Sequence, residues 1–521
     1  MHNDYDICNK RRKGEHSMAV IFLDGETLTR RQVAAISKGK ATVALSEDGK
    51  KRVVASRERI EQQLQNGAAI YGVNTGFGEL SRIRIADEDI DMLQLNLLRS
   101  DGMGVGVPFD KEIVRAMMVL RANALVRGYS GIRLETLELL VALINEGVTP
   151  VVPSQGSVGA SGDLAPLSHL ALVLVGEGKA EYRGEVLTGA AALQRAGLQP
   201  VVLKAKEGLA LVNGTQAMSA LGVVTLNEVE RIGVACDLAA SFTMEALQGI
   251  VDAFEADLLA VRPHPEIQAV GARMRHFLDG SKRVTKQGEL RMQDAYSLRC
   301  IPQVHAASWQ SFDHAERIVH IEANATTDNP VVLERGDVLS GGHFHGQPIA
   351  FAMDFLKFGV CEWANISERR TERMVNPHLN NGLPPFLAVK PGIECGLMIA
   401  QYTAASIVSE NKVLAHPSCV DSIPTSGNQE DHVSMGTTSA RQVRQITHNA
   451  AKVIAIEFIC ASQAIYLAKC EADLAPLTRK FLDVVRSFCP PLESDKAIGE
   501  EIEALAHHLL TSDDVLALAN E

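Results

Sequence analysis

Beyond the short cluster Lys10-Arg-Arg-Lys13, no dense run of lysine and arginine occurs in this chain, whose formal net charge is −12 and whose pI is about 5.8. Nucleic acid and anionic membrane surfaces are therefore poor partners. The nine cysteines, scattered from Cys8 to Cys489, include no Cys-x-x-Cys pair. That scatter speaks against structural zinc and a disulfide framework, and for a reduced, cytoplasmic protein. The most apolar stretch, 450–468, is interrupted by Lys452 and Glu457, so no membrane span is expected. Residues 1–17 are polar and lack the apolar core of a secretory signal. They read as a disordered leader. Internal repeats and low-complexity linkers are missing too.

What is present is apolar periodicity. At 521 residues, 46% of them hydrophobic, the chain could form two to four domains or one large helical unit. Strand signals are few: 19–23, 41–45, and a hairpin over 179–188 turning at Arg183-Gly184. Helical spacing marks 111–127 and 133–146, parted by the breaker at 128–131. Three long proline-poor runs, 215–248, 349–375 and 438–468, are apolar around much of their circumference, as in a bundle buried on several sides. Breaks rich in glycine and proline fall at 71–78, 152–166, 326–346 and 422–428. If these loops meet in space, they form the site.

One break carries unusual chemistry. Gly156-Ser-Val-Gly-Ala-Ser-Gly-Asp-Leu-Ala-Pro166 lies between apolar segments, where a flexible linker fits poorly. A phosphate-binding loop would need Gly-Lys-Ser/Thr, or a strand before the glycines and an acid after the next strand, and neither context exists. A third reading is covalent. In a tight turn the Gly162 amide nitrogen can close on the Ala160 carbonyl carbon with loss of water. Loss of a second water from Ser161 then leaves an exocyclic methylidene. Small Ala160 and Gly162 permit the compressed turn, and glycine has no Cβ to obstruct it.

This segment resembles the active-site segment of the aromatic amino acid ammonia-lyases, and the resemblance runs from Phe22 to about Leu474. Tyr71-Gly-Val-Asn-Thr-Gly-Phe-Gly78 is similar to the family's tyrosine loop, and Asn213-Gly-Thr-Gln216 to its asparagine motif. Gln293-Asp-Ala-Tyr-Ser-Leu-Arg299 resembles its tyrosine–arginine segment; Thr327-Asp-Asn-Pro330 and Gly342-His-Phe-His345 follow in order. Ser409-Glu-Asn-Lys412 and the segment Pro424 to Gly436 look most like the histidine-specific members.

The resemblance implies an all-α fold, a long central helix bundle of the fumarase/aspartase-like type with a smaller mixed N-terminal region. Residues 18–215 would carry the tyrosine loop and the electrophile, and 216–521 the bundle and C-terminal helices. It further implies 4-methylidene-imidazol-5-one built from Ala160, Ser161 and Gly162, with no external cofactor and no metal. The substrate amine would add to the methylidene carbon, and Tyr71 would remove the β-hydrogen. Since free tyrosine has a pKa near roughly 10, that phenol calls for electropositive neighbours. Asn213 would orient the prosthetic carbonyl, Tyr296 would position or protonate groups near the ring, and Arg299 would fork the substrate carboxylate. Gln293, Phe344, Gln429, Ser100, Asp101 and Glu410 would line the substrate, the two acids facing its side chain. Packing or surface roles for Tyr71, Arg299 and Phe344 are the plainer alternatives.

Two positions depart from the histidine-specific pattern: Ser100-Asp101 stands where Ser-His is usual, and His343 where asparagine is usual. The expected activity is elimination of ammonia from L-histidine to trans-urocanate, in a homotetramer whose sites are shared between subunits. A lyase or 2,3-aminomutase for another aromatic or basic amino acid is the nearest rival. A non-catalytic helical scaffold is the more distant one.

Overall fold

The computed structural model describes residues 18–67 and 69–521, so the expectation for 1–17 lies outside the described residues. Strands β1 (Ala19–Leu23) and β2 (Ala41–Leu45) pair in parallel across helix α1 (Arg30–Ser37), with Ala19 opposite Ala41 and Leu23 opposite Leu45. Parallel neighbours need a crossover, and α1 supplies it. Thr29 starts α1 with a capping box shared with Gln32. Helix α2 (Glu47–Gln65) follows, then α3 (Ile90–Asp101), whose last residue is one of the expected site acids.

Helices α4 (Lys111–Val126) and α5 (Leu134–Glu146) fall where the spacing placed them. Gly147, left-handed at φ 76°, ends α5. The Ala-Ser-Gly turn precedes α6 (Leu164–Leu174), and strands β3 (Lys179–Tyr182) and β4 (Glu185–Thr188) form the expected hairpin. Short α7 (Glu207–Val212) delivers Asn213 at its C-terminal end.

Long helices dominate the remainder. They are α8 (Gln216–Ala246), α9 (Ile301–Ala323), α10 (Gln347–Val375), α11 (Met398–Leu414) and α12 (Gly436–Ala468). The 33 residues of α12 span about 50 Å at ~1.5 Å per residue. It packs against α8, α10 and α11, and α9 closes on α8 and α10. The apolar run at 450–468 belongs to α12, the one described helix long and apolar enough to cross a membrane, and 83% of its most apolar window is buried inside the protein.

Burying charge in such a bundle requires pairing. Glu457 of α12 accepts from Arg370 of α10 at 2.5 and 2.9 Å and from Thr243 of α8 at 2.7 Å, all three side chains being buried. Removing one partner of such a pair costs about 3–5 kcal/mol, because the other is left charged and dry. The acid that interrupts the apolar run thus ties three long helices together. One hydrophobic core extends from Leu23 to Leu518.

Candidate active site

The backbone at residues 159–162 doubles back on itself. Gly159 and Gly162 face each other as an isolated antiparallel bridge, with Ala160 and Ser161 at the apex. Ser161 has φ 50° and Gly162 φ 77°. The left-handed region is costly for serine, so the surroundings must impose it. At Gly162 the need for glycine is absolute: a Cβ there would lie 2.1 Å from the Gly214 carbonyl oxygen.

Asp163 anchors the turn from below. Fully buried, its carboxylate accepts from Ser157 Oγ at 2.7 Å, from the Met218 amide at 2.9 Å, and from Thr437 Oγ1. Burial pushes this carboxyl up, against those hydrogen bonds. The Asp163 amide donates to Gly214 O at 2.7 Å, and the Gly214 amide donates to Ser161 O at 3.3 Å. The turn is thus sewn to the Asn213-Gly214 segment on one side. On the other, the Met435 amide reaches Val158 O at 2.9 Å.

The glycine-rich breaks do converge. A Cβ on Gly78 would lie 2.3 Å from Ser426 Oγ, so the tyrosine loop touches the 422–428 break. Asn213 Nδ2 donates to Asn329 O at 2.8 Å, joining the asparagine motif to the third break. The rings of His345 and His432 stack with centroids 5.6 Å apart, and His345 Nε2 lies 3.2 Å from His432 O.

At the meeting point stand Tyr71, Asp101, Ser161, Asn213 and a residue the sequence reading did not single out, Glu430. Ser161 Oγ donates to Glu430 Oε1 at 3.3 Å, and Thr425 Oγ1 donates to Glu430 Oε2 at 2.7 Å. Asn213, 2% exposed, has its Oδ1 buried without a partner. Asp101 Oδ2 is likewise buried and unpartnered, while Oδ1 accepts from Ser100 Oγ at 3.3 Å. Burial, with Glu430 adding to it, pushes the Asp101 carboxyl up to about 6.

Within one chain, two arrangements differ from what was expected. Tyr71 Oη accepts from the Gly78 amide at 3.1 Å, and its ring meets Phe77 edge-on at 6.5 Å. Its surroundings within the chain are not electropositive: burial raises the phenol's pKa, the Gly78 amide opposes this, and the carboxylates of Glu430 and Asp101 raise it further. Secondly, the acid that acts on Asp101 is Glu430, not Glu410. Glu410 sits on α11, where its Oε2 accepts from Asn449 Nδ2 of α12 at 3.0 Å. The sequence signal for Glu430 is its place in the 424–436 segment, directly after Gln429.

Phe344 is half-buried beside His345, and Gln429 is exposed next to Glu430. Gln293, Tyr296 and Arg299 lie elsewhere. Gln293 and Arg299 line a separate cleft of about 380 Å³ with Asp252, Asp294 and Gln303. The Arg299 guanidinium stacks on the Tyr296 ring, 4.6 Å from its centroid, and Tyr296 is 70% exposed. Arg299 Nε is buried without a partner. Among the described residues, no hydrogen bond, ion pair or ring contact joins this cleft to Ser161.

A long-helix bundle whose loops converge on a strained Ala-Ser-Gly turn, a tyrosine and an orphaned asparagine oxygen defines an enzyme class rather than a binding scaffold. The family model described as "Aromatic amino acid lyase" matches residues 28–487, and the chain belongs to that family. It is 52% identical to a histidine ammonia-lyase of Geobacillus sp. (strain WCH70) over 94% of this chain and 96% of that protein. Among solved structures, the histidine ammonia-lyase of Trypanosoma cruzi superposes with a TM-score of 0.89 at 41% identity, covering 96% of this chain and 95% of that one. The tyrosine aminomutase of Streptomyces globisporus superposes with a TM-score of 0.93 at 35% identity, covering 96% and 99%.

Proposed function

We propose that this chain eliminates ammonia from L-histidine to give trans-urocanate, with 4-methylidene-imidazol-5-one formed from Ala160, Ser161 and Gly162 as its electrophile. The observation that carries the reading is the turn itself: residues 159–162 are folded back, and Gly162 is pressed against Gly214 where no side chain fits. These residues fit the group, because the compressed backbone suits ring closure and Asn213 leaves a buried acceptor free beside it. When formed, the group supplies an electron-poor carbon that takes up the substrate amine and makes ammonia a better leaving group.

The chain's own residues do the rest. Tyr71 accepts the β-proton at Oη, Asn213 orients polar groups through its free Oδ1, and Glu430, which holds the Ser161 hydroxyl before dehydration, borders the substrate. Two acids, Asp101 and Glu430, suit an imidazole, which can donate from nitrogen and carry a proton; a phenyl ring offers neither. Leaving a buried carboxylate unpaired against phenyl would cost on the order of several kcal/mol.

Gln293, Tyr296 and Arg299 serve substrate binding from a second copy of the chain, in a homotetramer with shared sites. Support comes from the exposure of Gln293 and Tyr296, from the separate cleft that Gln293 and Arg299 line, and from the unpartnered Arg299 Nε. Arg299 brought in this way also supplies the positive charge that Tyr71 lacks within its own chain. Phe344, Ser100 and Gln429 complete the lining. Residues 18–215 then act as the region that carries the turn, and 216–521 as the bundle. A cytoplasmic location goes with the free state of all eight described cysteines.

The likeness to a tyrosine aminomutase makes the competing outcome concrete: return of ammonia to the β-carbon. Product analysis with histidine, phenylalanine and tyrosine is the test. Trans-urocanate and ammonia from histidine alone are expected. A β-amino acid product, or efficient use of phenylalanine or tyrosine, would overturn the assignment.

A further inference from the structure

Behind the Ala-Ser-Gly turn lies a buried charge cluster that the proposed mechanism does not use. Arg121 of α4 is 0% exposed. Its Nη1 donates to the Asn213 carbonyl at 2.9 Å and to Gln216 Oε1 at 2.7 Å, and its Nη2 to the Ala210 carbonyl. Gln216 Nε2 donates in turn to Thr327 Oγ1 at 2.8 Å. Lys206, also 0% exposed, pairs at 2.8 Å with Asp328 Oδ2. Asp328 Oδ1 accepts the Asn329 amide at 2.7 Å, and Asn329 O holds Asn213 Nδ2. Asp328 is the carboxylate acting on Arg121, and Lys206 already engages it. One cation of the three charges is therefore left over, buried behind Asn213.

That excess charge has a route to the turn. A cation on the Asn213 carbonyl polarises the whole Asn213–Gly214 peptide and makes its N–H a stronger donor. This N–H is the one that faces Ser161 O at 3.3 Å. We infer that Arg121 is a positioning residue for the self-dehydration of Ala160-Ser161-Gly162, acting through the Asn213–Gly214 peptide on the Ser161 carbonyl. The inference rests on the electrophile proposed above.

The chemistry shows why the Ser161 carbonyl is the place to act. In the first dehydration the Gly162 nitrogen bonds to the Ala160 carbonyl carbon. The Ala160 oxygen departs as water, with the hydrogens of the Gly162 and Ser161 amides, leaving a double bond from that carbon to the Ser161 nitrogen. In the second, the Ser161 α-proton passes to solvent water and its electron pair moves onto the Ser161 carbonyl as an enolate. The pair then returns to form Cα=Cβ as the hydroxyl leaves, taking up a proton to become water. No oxidant or second reactant is needed. Negative charge collects on the Ser161 oxygen only in passing, and a donor already aimed at that oxygen stabilises the transition state without reorganising. Peptide N–H groups are modest donors. A buried guanidinium behind one strengthens it while keeping water out.

The experiment is intact-chain and peptide mass spectrometry on the full-length protein at fixed times after synthesis, with circular dichroism as the fold control. Wild type should lose two waters within the peptide spanning 160–162. Arg121→Met should fold yet retain the full mass. Arg121→Lys keeps the charge but lacks the fork that reaches three acceptors. It should dehydrate about tenfold more slowly, and any of it that does dehydrate should keep the wild-type KM. The Lys variant decides the matter if Arg121→Met fails to fold. Dehydration of Arg121→Lys, or of a folded Arg121→Met, at the wild-type rate would overturn the inference. An undehydrated wild type in active enzyme would instead overturn the electrophile reading itself.

Discussion

Asp101→Asn should make this protein more stable at neutral pH, and the size of the gain follows from where the carboxylate sits. One oxygen accepts from Ser100, the other is buried without a partner, and Glu430 stands near with like charge. The folded chain therefore holds this proton up to about pH 6, whereas an unfolded aspartate gives it up near 3.8. Between those values the native state binds more protons than the unfolded one, so stability falls as pH rises from about 4 to about 6 and stays lower above. The full interval is worth ~3 kcal/mol at roughly 1.4 kcal/mol per pH unit. Partial exposure screens part of that, leaving about 2 kcal/mol. Asparagine is nearly isosteric, keeps an acceptor for Ser100, and has nothing to titrate. Its advantage should be absent below about pH 4 and complete above about pH 7. Urea denaturation of both proteins at intervals from pH 4 to 8 measures this directly. Midpoint curves that run parallel across the range would refute the reasoning, since Asp101 would then ionise in the fold as freely as in solution. If the gain appears, the wild type keeps a destabilising acid at its site, the kind of cost that function commonly imposes.

Tyr71→Phe should lower kcat by about a hundred- to ten-thousand-fold with KM little changed, because a general base acts in the transition state; a rise in KM alone in steady-state kinetics would make Tyr71 a binding residue. Gly162→Ala should give an inactive chain of unreduced mass, because the added Cβ would lie 2.1 Å from Gly214 O at a backbone φ of 77°. Mass analysis that finds two waters missing from this variant would show that the turn tolerates a side chain and that its compression is not what drives closure.

Much of the architecture was legible in the chain. The runs at 215–248, 349–375 and 438–468 became α8, α10 and α12 within a few residues, because apolar repetition at helical spacing is a local property. Strands β1 and β2 and the hairpin of β3 and β4 were equally local. The glycine-rich breaks marked the site for a similar reason: positive φ and close backbone approach are needs that a single residue type announces. Ser161 could be named from the covalent chemistry of the turn, and Tyr71 and Asn213 through the resemblance of their segments to the family.

Tertiary structure alone decided which acid meets the turn within one chain. Glu410 and Glu430 are both carboxylates in segments that match the family, and nothing in their spacing separates them. Ser161 and Glu430 are 269 residues apart, and their hydrogen bond exists because the 422–436 loop folds over the turn. The same holds for the surroundings of Tyr71, where burial and two carboxylates raise a pKa that the expected chemistry needs lowered. It holds also for Gln293 and Arg299, which the motif order sets beside the other site residues and the fold puts in a cleft of their own, with Tyr296 stacked on Arg299. Sequence patterns report what a residue does to its own backbone and to neighbours a turn away. Electric fields and pairings between distant loops depend on distances that only packing sets, and they fall off too steeply to be read from order along the chain.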